Sequence, residues 1–215
     1  MRSLKLFVCL LALASTCYPS HHRRQPRSRP HGQAGVFDFY MLVLSWSPEF
    51  CSSKPSATEC SAHAGFLVHG LWPQNNDGTY PSNCATDQPG PTNPSAMADI
   101  MPPEIINHEW QTHGTCSGLS GDAYFALVRK IFESVSIPPQ FKAPSSSFTI
   151  RPAQLKQAFE HATPNLVDSD IAIQLRQNYL NAVNICESHS PAPVPVACSG
   201  LKDTTGGTFI VPPVR

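Results

Sequence analysis

From its N-terminus onward the chain alternates dense apolar runs with stretches almost free of them. "MRSLKLFVCLLALASTC" sets two cations before an apolar run from Leu6 to Ala14, then small residues. That is the pattern of a secretory signal peptide, and the run is too short to span a bilayer, which disfavours an N-terminal anchor. Residues 1–17 are read as this signal, with Ala12 and Ala14 offering a cleavage site and the cut free to lie a few residues later. "HHRRQPRSRPHGQAG" shows no apolar period and is rich in Pro, Arg and Gly. It reads as a basic linker over residues 18–35. Its plain reading is a solvated tail, and its functional reading is weak attachment to RNA or an anionic surface.

The folded domain is placed at 36–215. "FDFYMLVLSW" is apolar and aromatic throughout, which predicts a buried central strand. "GFLVHGLW" is a second strand-like run with a histidine embedded in it. Residues 74–103, rich in Pro, Asn, Asp, Ser and Gly, predict a long loop of the kind that carries function or is disordered. "DAYFALVRKIFESV" places Tyr124, Leu127, Val128, Ile131, Phe132 and Val135 at helical spacing. "RPAQLKQAFEHAT" predicts a helix opened by Pro152 after a short "SFTI" strand, and "YLNAVNICES" and "GTFIVPP" predict late strands. Strands and helices mix without a βαβ repeat, so the class is α+β.

Charge changes the picture. The whole chain balances 15 basic against 15 acidic residues. Arg2, Lys5, Arg23, Arg24, Arg27 and Arg29 precede Gly35, and no acid does. The domain from Val36 onward therefore holds nine basic and fifteen acidic residues, a formal −6 with histidine neutral. Such a domain is not a basic-patch nucleic-acid binder. A polyanion must be handled at a local site, or at a pH where the six domain histidines carry charge.

Cys9 lies in the apolar run and Cys17 near the cut. "LASTC" makes a poor lipoprotein box because Thr16 stands where a smaller residue is preferred. The remaining Cys51, Cys60, Cys84, Cys116, Cys186 and Cys198 predict three disulfides in an exported chain, with about fifteen connectivities open. Asn-x-Ser/Thr acceptors with x other than Pro are absent, which argues against a glycosylated secretory protein.

The candidate chemistry lies in "HEWQTHGTC", His108 to Cys116. Pro102, Pro103 and Gly114 bracket a short helix. A zinc-protease helix needs its two histidines four apart on one face. His108 and His113 are five apart, roughly 140° around the helix, and make a poor chelate. The four-residue spacing instead joins Glu109 to His113. A neighbouring carboxylate and the C-terminal end of a helix would both favour a protonated His113. Cys116 could be a nucleophile, but export favours a disulfide half. In "FLVHGLWPQ", His69 taken alone reads as a satisfied core histidine and Trp72 as core.

The two segments together resemble the ribonuclease T2 family, whose signatures read close to F-x-x-H-G-L-W-P and H-E-W-x-K-H-G-T-C. Here they stand as "FLVHGLWP" and "HEWQTHGTC", in the right order, with Cys84 between them. The likeness extends from about Val36 to Val214 and leans to the bacterial branch. It implies a central antiparallel sheet flanked by helices. It also implies metal-independent cleavage of single-stranded RNA through a 2′,3′-cyclic phosphate to 3′-phosphate ends, with no cofactor. DNA, lacking the 2′-hydroxyl, would not react. Carried over, His113 is the general base and His69 the general acid, in an assignment that could be swapped. His108 holds the phosphate, Glu109 polarises or stabilises the transition state, Trp72 stacks a base, and Tyr80 adds a second aromatic wall. The implied disulfides are Cys84–Cys116, Cys51–Cys60 and Cys186–Cys198.

Two positions depart from the family. Thr112 replaces a lysine held to neutralise the phosphorane, so the enzyme is either slow or recruits Arg129, Lys130 or another cation. Ser45 stands where many plant members carry glutamine, which puts a second base site in doubt. The expectations are an exported monomer, extracellular or periplasmic, without stable membrane insertion, acting on RNA at acidic pH. The competing expectation is a catalytically weakened relative that binds RNA or a surface partner.

Overall fold

The computed structural model describes residues 32–214. The predicted signal and the linker up to residue 31 lie outside them. A six-stranded sheet runs in the order β2 (Phe66–Gln74), β1 (Phe39–Trp46), β5 (Tyr179–Ser188), β6 (Phe209–Val211), β3 (Phe148–Ile150), with β4 (Ile171–Arg176) also paired to β5. Its pairs are antiparallel except a short parallel contact of β5 with β6. β1 (Phe39–Trp46) is apolar apart from Ser45 because both faces are covered. Tyr40, Leu42, Leu44 and Trp46 enter the main core. Phe39, Met41 and Val43 enter a smaller cluster with Ala182 and Cys186, against which Trp72, Val196 and Leu201 pack.

Strands β3 (Phe148–Ile150), β5 (Tyr179–Ser188) and β6 (Phe209–Val211) match the predicted ones. β4 (Ile171–Arg176) and the short α1 (Ser47–Ser53) are additional. β4 returns into β5 through the pair Arg176↔Tyr179, a two-residue hairpin at Gln177 and Asn178. Gln177 takes the left-handed φ of 55° that such turns require. It lacks the Asn-Gly or Asp-Gly signature that marks a hairpin in sequence.

α3 (Gly121–Ser134) buries Tyr124, Phe125, Val128 and Ile131, and the Ser120 hydroxyl caps it by accepting from the Ala123 amide. Burying each such side chain contributes about 1.5–3 kcal/mol, and the cap about 1 kcal/mol. α4 (Pro152–Ala162) buries Leu155 and Phe159. The long loop after Gln74 is held down at Met97, Ile100 and Met101, all buried in the core.

β2 (Phe66–Gln74) lies at the sheet edge. On its free side the Tyr124 hydroxyl donates to the Leu71 carbonyl at 2.8 Å, and the Val68 amide donates to the Ile100 carbonyl at 2.8 Å. Its pairing with β1 slips once: Val43 faces Gly70, but Leu44 faces Val68. His69 therefore has no partner on β1 and forms a β-bulge, the irregularity that re-aims a side chain.

The three disulfides are Cys51–Cys60, Cys84–Cys116 and Cys186–Cys198, the pairs the resemblance implies. Cys84–Cys116 ties the long loop to the end of α2 (Ile106–Thr112).

Candidate active site

The bulge, the end of α2 and the long loop meet at one place. α2 is short, and its buried residues are Ile106, Glu109 and Trp110. Ile106 and Trp110 enter the core, while Glu109 is carried to the face of β2. Its carboxylate oxygen Oε2 accepts from the Trp72 indole N–H at 2.7 Å, and Oε1 lies 3.5 Å from His69 Nε2. Gly70 makes this approach possible. A Cβ there would stand 2.1 Å from Glu109 Oε2 and 2.4 Å from Trp72 Nε1.

His113 follows α2 as its C-cap, and its amide bonds to the Glu109 carbonyl at 3.0 Å. Its ring stacks on Trp72, with centroids 4.6 Å apart and planes at 18°. The His69 ring meets the same indole edge-on at 5.8 Å. Tyr80, from the loop and largely exposed, lies 6.5 Å from the His113 ring. One indole thus spaces the two histidines, fixes the carboxylate and keeps one face covered by His113. His108 lies exposed on the outer side of α2. Its charge is felt by both His69 and His113.

Burial sets the protonation states. His113 is buried with its Nδ1 unpartnered, and burial, with the charges of His108 and His69, pushes it down to about 3. His69 is only partly buried, and burial plus the charge of His108 lowers it from the ordinary 6.5. Burial pushes the Glu109 carboxyl up to about 7, against the pull of the Trp72 hydrogen bond.

This corrects the sequence reading of Glu109. Its carboxylate serves Trp72 and His69 rather than His113, because the helix ends at Thr112 and the indole on β2 offers a better-placed donor. His113 is accordingly held neutral by burial, not held cationic by a carboxylate and a helix end.

The structure brings His69, Trp72, Tyr80, His108, Glu109 and His113 together. Thr112 adjoins them, and its carbonyl accepts from the Asn83 amide at 2.8 Å. The cations considered as replacements for the lysine lie elsewhere. Arg129 is committed to Asp99, at 2.6 Å, and to Glu133. Lys130 lines a cavity of about 490 Å³ with Tyr40 and His189, a set that shares no residue with the site. Cys116 is a disulfide half and no nucleophile. Gly70 was not among the predicted site residues, although its place directly after His69 was the available signal. Among the described residues, no group of three or more His, Cys, Asp or Glu side chains is arranged to hold a metal ion.

Comparison with known proteins bears on the same residues. A ribonuclease from Aeromonas hydrophila is 46% identical over 98 residues, 45% of this chain and 45% of that one. Extracellular ribonuclease LE of Solanum lycopersicum is 38% identical over 100 residues, 38% and 43% of the two chains. The chain thus spans under half the length of these two curated relatives. Ribonuclease DdI of Dictyostelium discoideum is 30% identical over 181 residues, 74% of this chain and 76% of that one. Among solved structures, an RNase-related protein from Calystegia sepium superposes with a TM-score of 0.64 at 21% identity, over 86% of this chain and all of that one. Ribonuclease MC1 from bitter gourd seeds gives 0.60 at 24% identity, over 80% and 99% of the two chains. The model of the ribonuclease T2 family matches residues 37–196, a span that holds both histidine segments with Glu109 inside the second, and the chain belongs to that family.

Proposed function

We propose that this chain is an exported endoribonuclease that cleaves single-stranded RNA without a metal ion. The observation that carries the reading is the split between two histidines mounted on one indole. One is buried and held neutral, and the other is partly exposed beside a carboxylate. Environments that push two titratable groups apart assign base and acid.

His113, neutral, takes the proton of the ribose 2′-hydroxyl as its oxygen attacks phosphorus. The P–O5′ bond breaks, and protonated His69 delivers its proton to the leaving 5′-oxygen. A 2′,3′-cyclic phosphate remains, and water later opens it to a 3′-phosphate. Glu109 holds His69 and Trp72 in place. His108 attracts the phosphate from the exposed side. Tyr80 offers a base an open aromatic face, since its ring is more than half exposed. Trp72 offers only the face that His113 leaves free. A variant of ribonuclease MC1 has been crystallised in complex with 5′-UMP, and RNA as substrate is carried to this chain on that likeness. Three disulfides and the apolar N-terminal run support export.

The test is cleavage of a short RNA in excess EDTA between about pH 4 and 8, with analysis of product ends. Cyclic-phosphate ends that vanish in His69→Ala and in His113→Ala are expected. Thr112 favours a second reading, a weakened relative that binds RNA without turning it over. Folded protein that retards RNA and leaves it intact would establish that reading instead.

A further inference from the structure

The cavity that Lys130 lines has no part in the chemistry described so far. Its volume is about 490 Å³, within the range of about 300–1,000 Å³ found for small-molecule sites. It opens between α3 and the turn that follows β5, and Leu119, Ala123, Leu127 and Pro191 give it apolar walls. On α3 the spacing of Ala123, Ala126, Leu127 and Lys130 sets them in one stripe, beside the stripe that Tyr124, Val128 and Ile131 bury in the core.

Three polar groups of the lining have hydrogen-bonding capacity to spare. Tyr40, on β1, is only 2% exposed, yet its hydroxyl has no hydrogen-bond partner among the described residues. Tyr124, likewise buried, donates its hydroxyl to the Leu71 carbonyl. A buried hydroxyl without a partner calls for an explanation, and the cavity is the open side of Tyr40. His189 stacks on Phe37, with ring centroids 3.8 Å apart and planes at 16°, and its Nδ1 lies 3.1 Å from the Phe37 carbonyl oxygen. A carbonyl only accepts, so Nδ1 carries the proton and Nε2 is left over. Lys130 is exposed and has no ion-pair partner among the described residues, whereas its neighbour Arg129 is held by Asp99 and Glu133. The hydroxyls of Ser117 and Ser190 are committed to the Gly114 and Ala192 carbonyls. The lining thus offers a phenol donor and an ammonium, and it contains no carboxylate. Glu187 pairs with Tyr40 across the sheet, but burial and the charge of Asp170 push it up to about 7, so it is uncharged at pH 5.

We propose that this cavity is a second ligand site, which takes a small apolar carboxylate. The apolar body packs between the α3 stripe and Pro191. The carboxylate accepts from the Tyr40 hydroxyl and from the Lys130 ammonium, with the His189 ring beside them. The buried phenol supplies direction and the exposed lysine supplies charge, so an uncharged ligand of the same shape binds less well. The site shares no residue with the catalytic set, and the inference stands independently of the ribonuclease reading.

The test is titration calorimetry of the full chain at pH 5 with 2-naphthoate, beside 2-naphthamide, which has the same rings and no charge. A hydrogen bond to a charged group is worth roughly tenfold in affinity or more. The carboxylate is therefore expected to bind one to one and roughly tenfold more tightly than the amide. Tyr40→Phe keeps the ring and removes only the hydroxyl, and Lys130→Gln removes the charge at an exposed position. Each is expected to weaken 2-naphthoate by roughly tenfold. Ala126→Trp, at an exposed position of the lining, fills the mouth and is expected to abolish binding of both compounds, with the circular dichroism spectrum of the parent retained. Absence of binding to the parent up to millimolar 2-naphthoate would overturn the proposal. So would equal affinities for carboxylate and amide, unchanged affinity in both Tyr40→Phe and Lys130→Gln, or binding that survives Ala126→Trp at full strength, which would place the compound elsewhere on the molecule.

Discussion

Gly70→Ala is the smallest change that separates the machinery from the scaffold. The added methyl would lie 2.1 Å from Glu109 Oε2 and 2.4 Å from Trp72 Nε1, so carboxylate and indole must part by roughly an ångström. That breaks the 2.7 Å hydrogen bond between them and draws Glu109 away from His69. With Glu109 pushed up to about 7, its carboxyl is protonated at pH 5, and a neutral hydrogen bond contributes about 0.5–1.5 kcal/mol. If that stabilisation is realised in the transition state, kcat falls about 2- to 12-fold. An ångström of misplacement independently suggests a loss of about 100-fold. The assay is kcat and KM on a dinucleoside phosphate at pH 5, beside thermal unfolding followed by circular dichroism. KM should hold within about threefold, and the variant should still unfold in one cooperative transition. A folded variant whose kcat stays within threefold of the parent would refute the argument that Glu109 is held where it acts.

The remaining predictions concern charge. With His113 held near 3 and His69 below its ordinary 6.5, kcat/KM should rise through about pH 3 and decline before pH 6.5; a profile climbing to pH 9 would contradict both assignments. Glu187 is buried, and burial with the charge of Asp170 pushes it up to about 7 from 4.5. A raised carboxyl stabilises fully below its unfolded value and loses that contribution as pH rises through 7. Glu187→Gln should therefore match the parent in urea unfolding near pH 4.5 and exceed it at pH 8 by on the order of 3 kcal/mol; a constant offset at both pH values would show that titration is not involved. Thr112→Lys should raise kcat on a dinucleoside phosphate tenfold or more, since a preorganised charge can be worth about 10²–10³. No gain would show that the reacting phosphate is already fully neutralised.

The parts of the fold that one segment determines were legible in the sequence. β1 shows itself because both its faces are buried, and α3 because its apolar residues follow one helical stripe. The site histidines were legible through two motifs, and the disulfide pairs came with the resemblance those motifs carry. What depends on a second segment was hidden. The bulge at His69 exists only in the register of β2 against β1, and no local feature of "FLVHGLW" marks it. Glu109 is four residues from His113, yet its partner is an indole 37 residues away in sequence, chosen by where β2 lies.

The bulge on β2 has a consequence for solubility. Edge strands present unpaired backbone groups that invite strands from other molecules, and proteins blunt them with bulges, short edges or covering chain. Here the outermost strand carries the bulge at His69. Its outward groups at Val68 and Leu71 are already taken by Ile100 and Tyr124. A regular strand at this edge would misdirect the imidazole and would also offer a straight, apolar template to a second copy. The aim of the His69 ring and the protection of this edge therefore rest on the same backbone distortion.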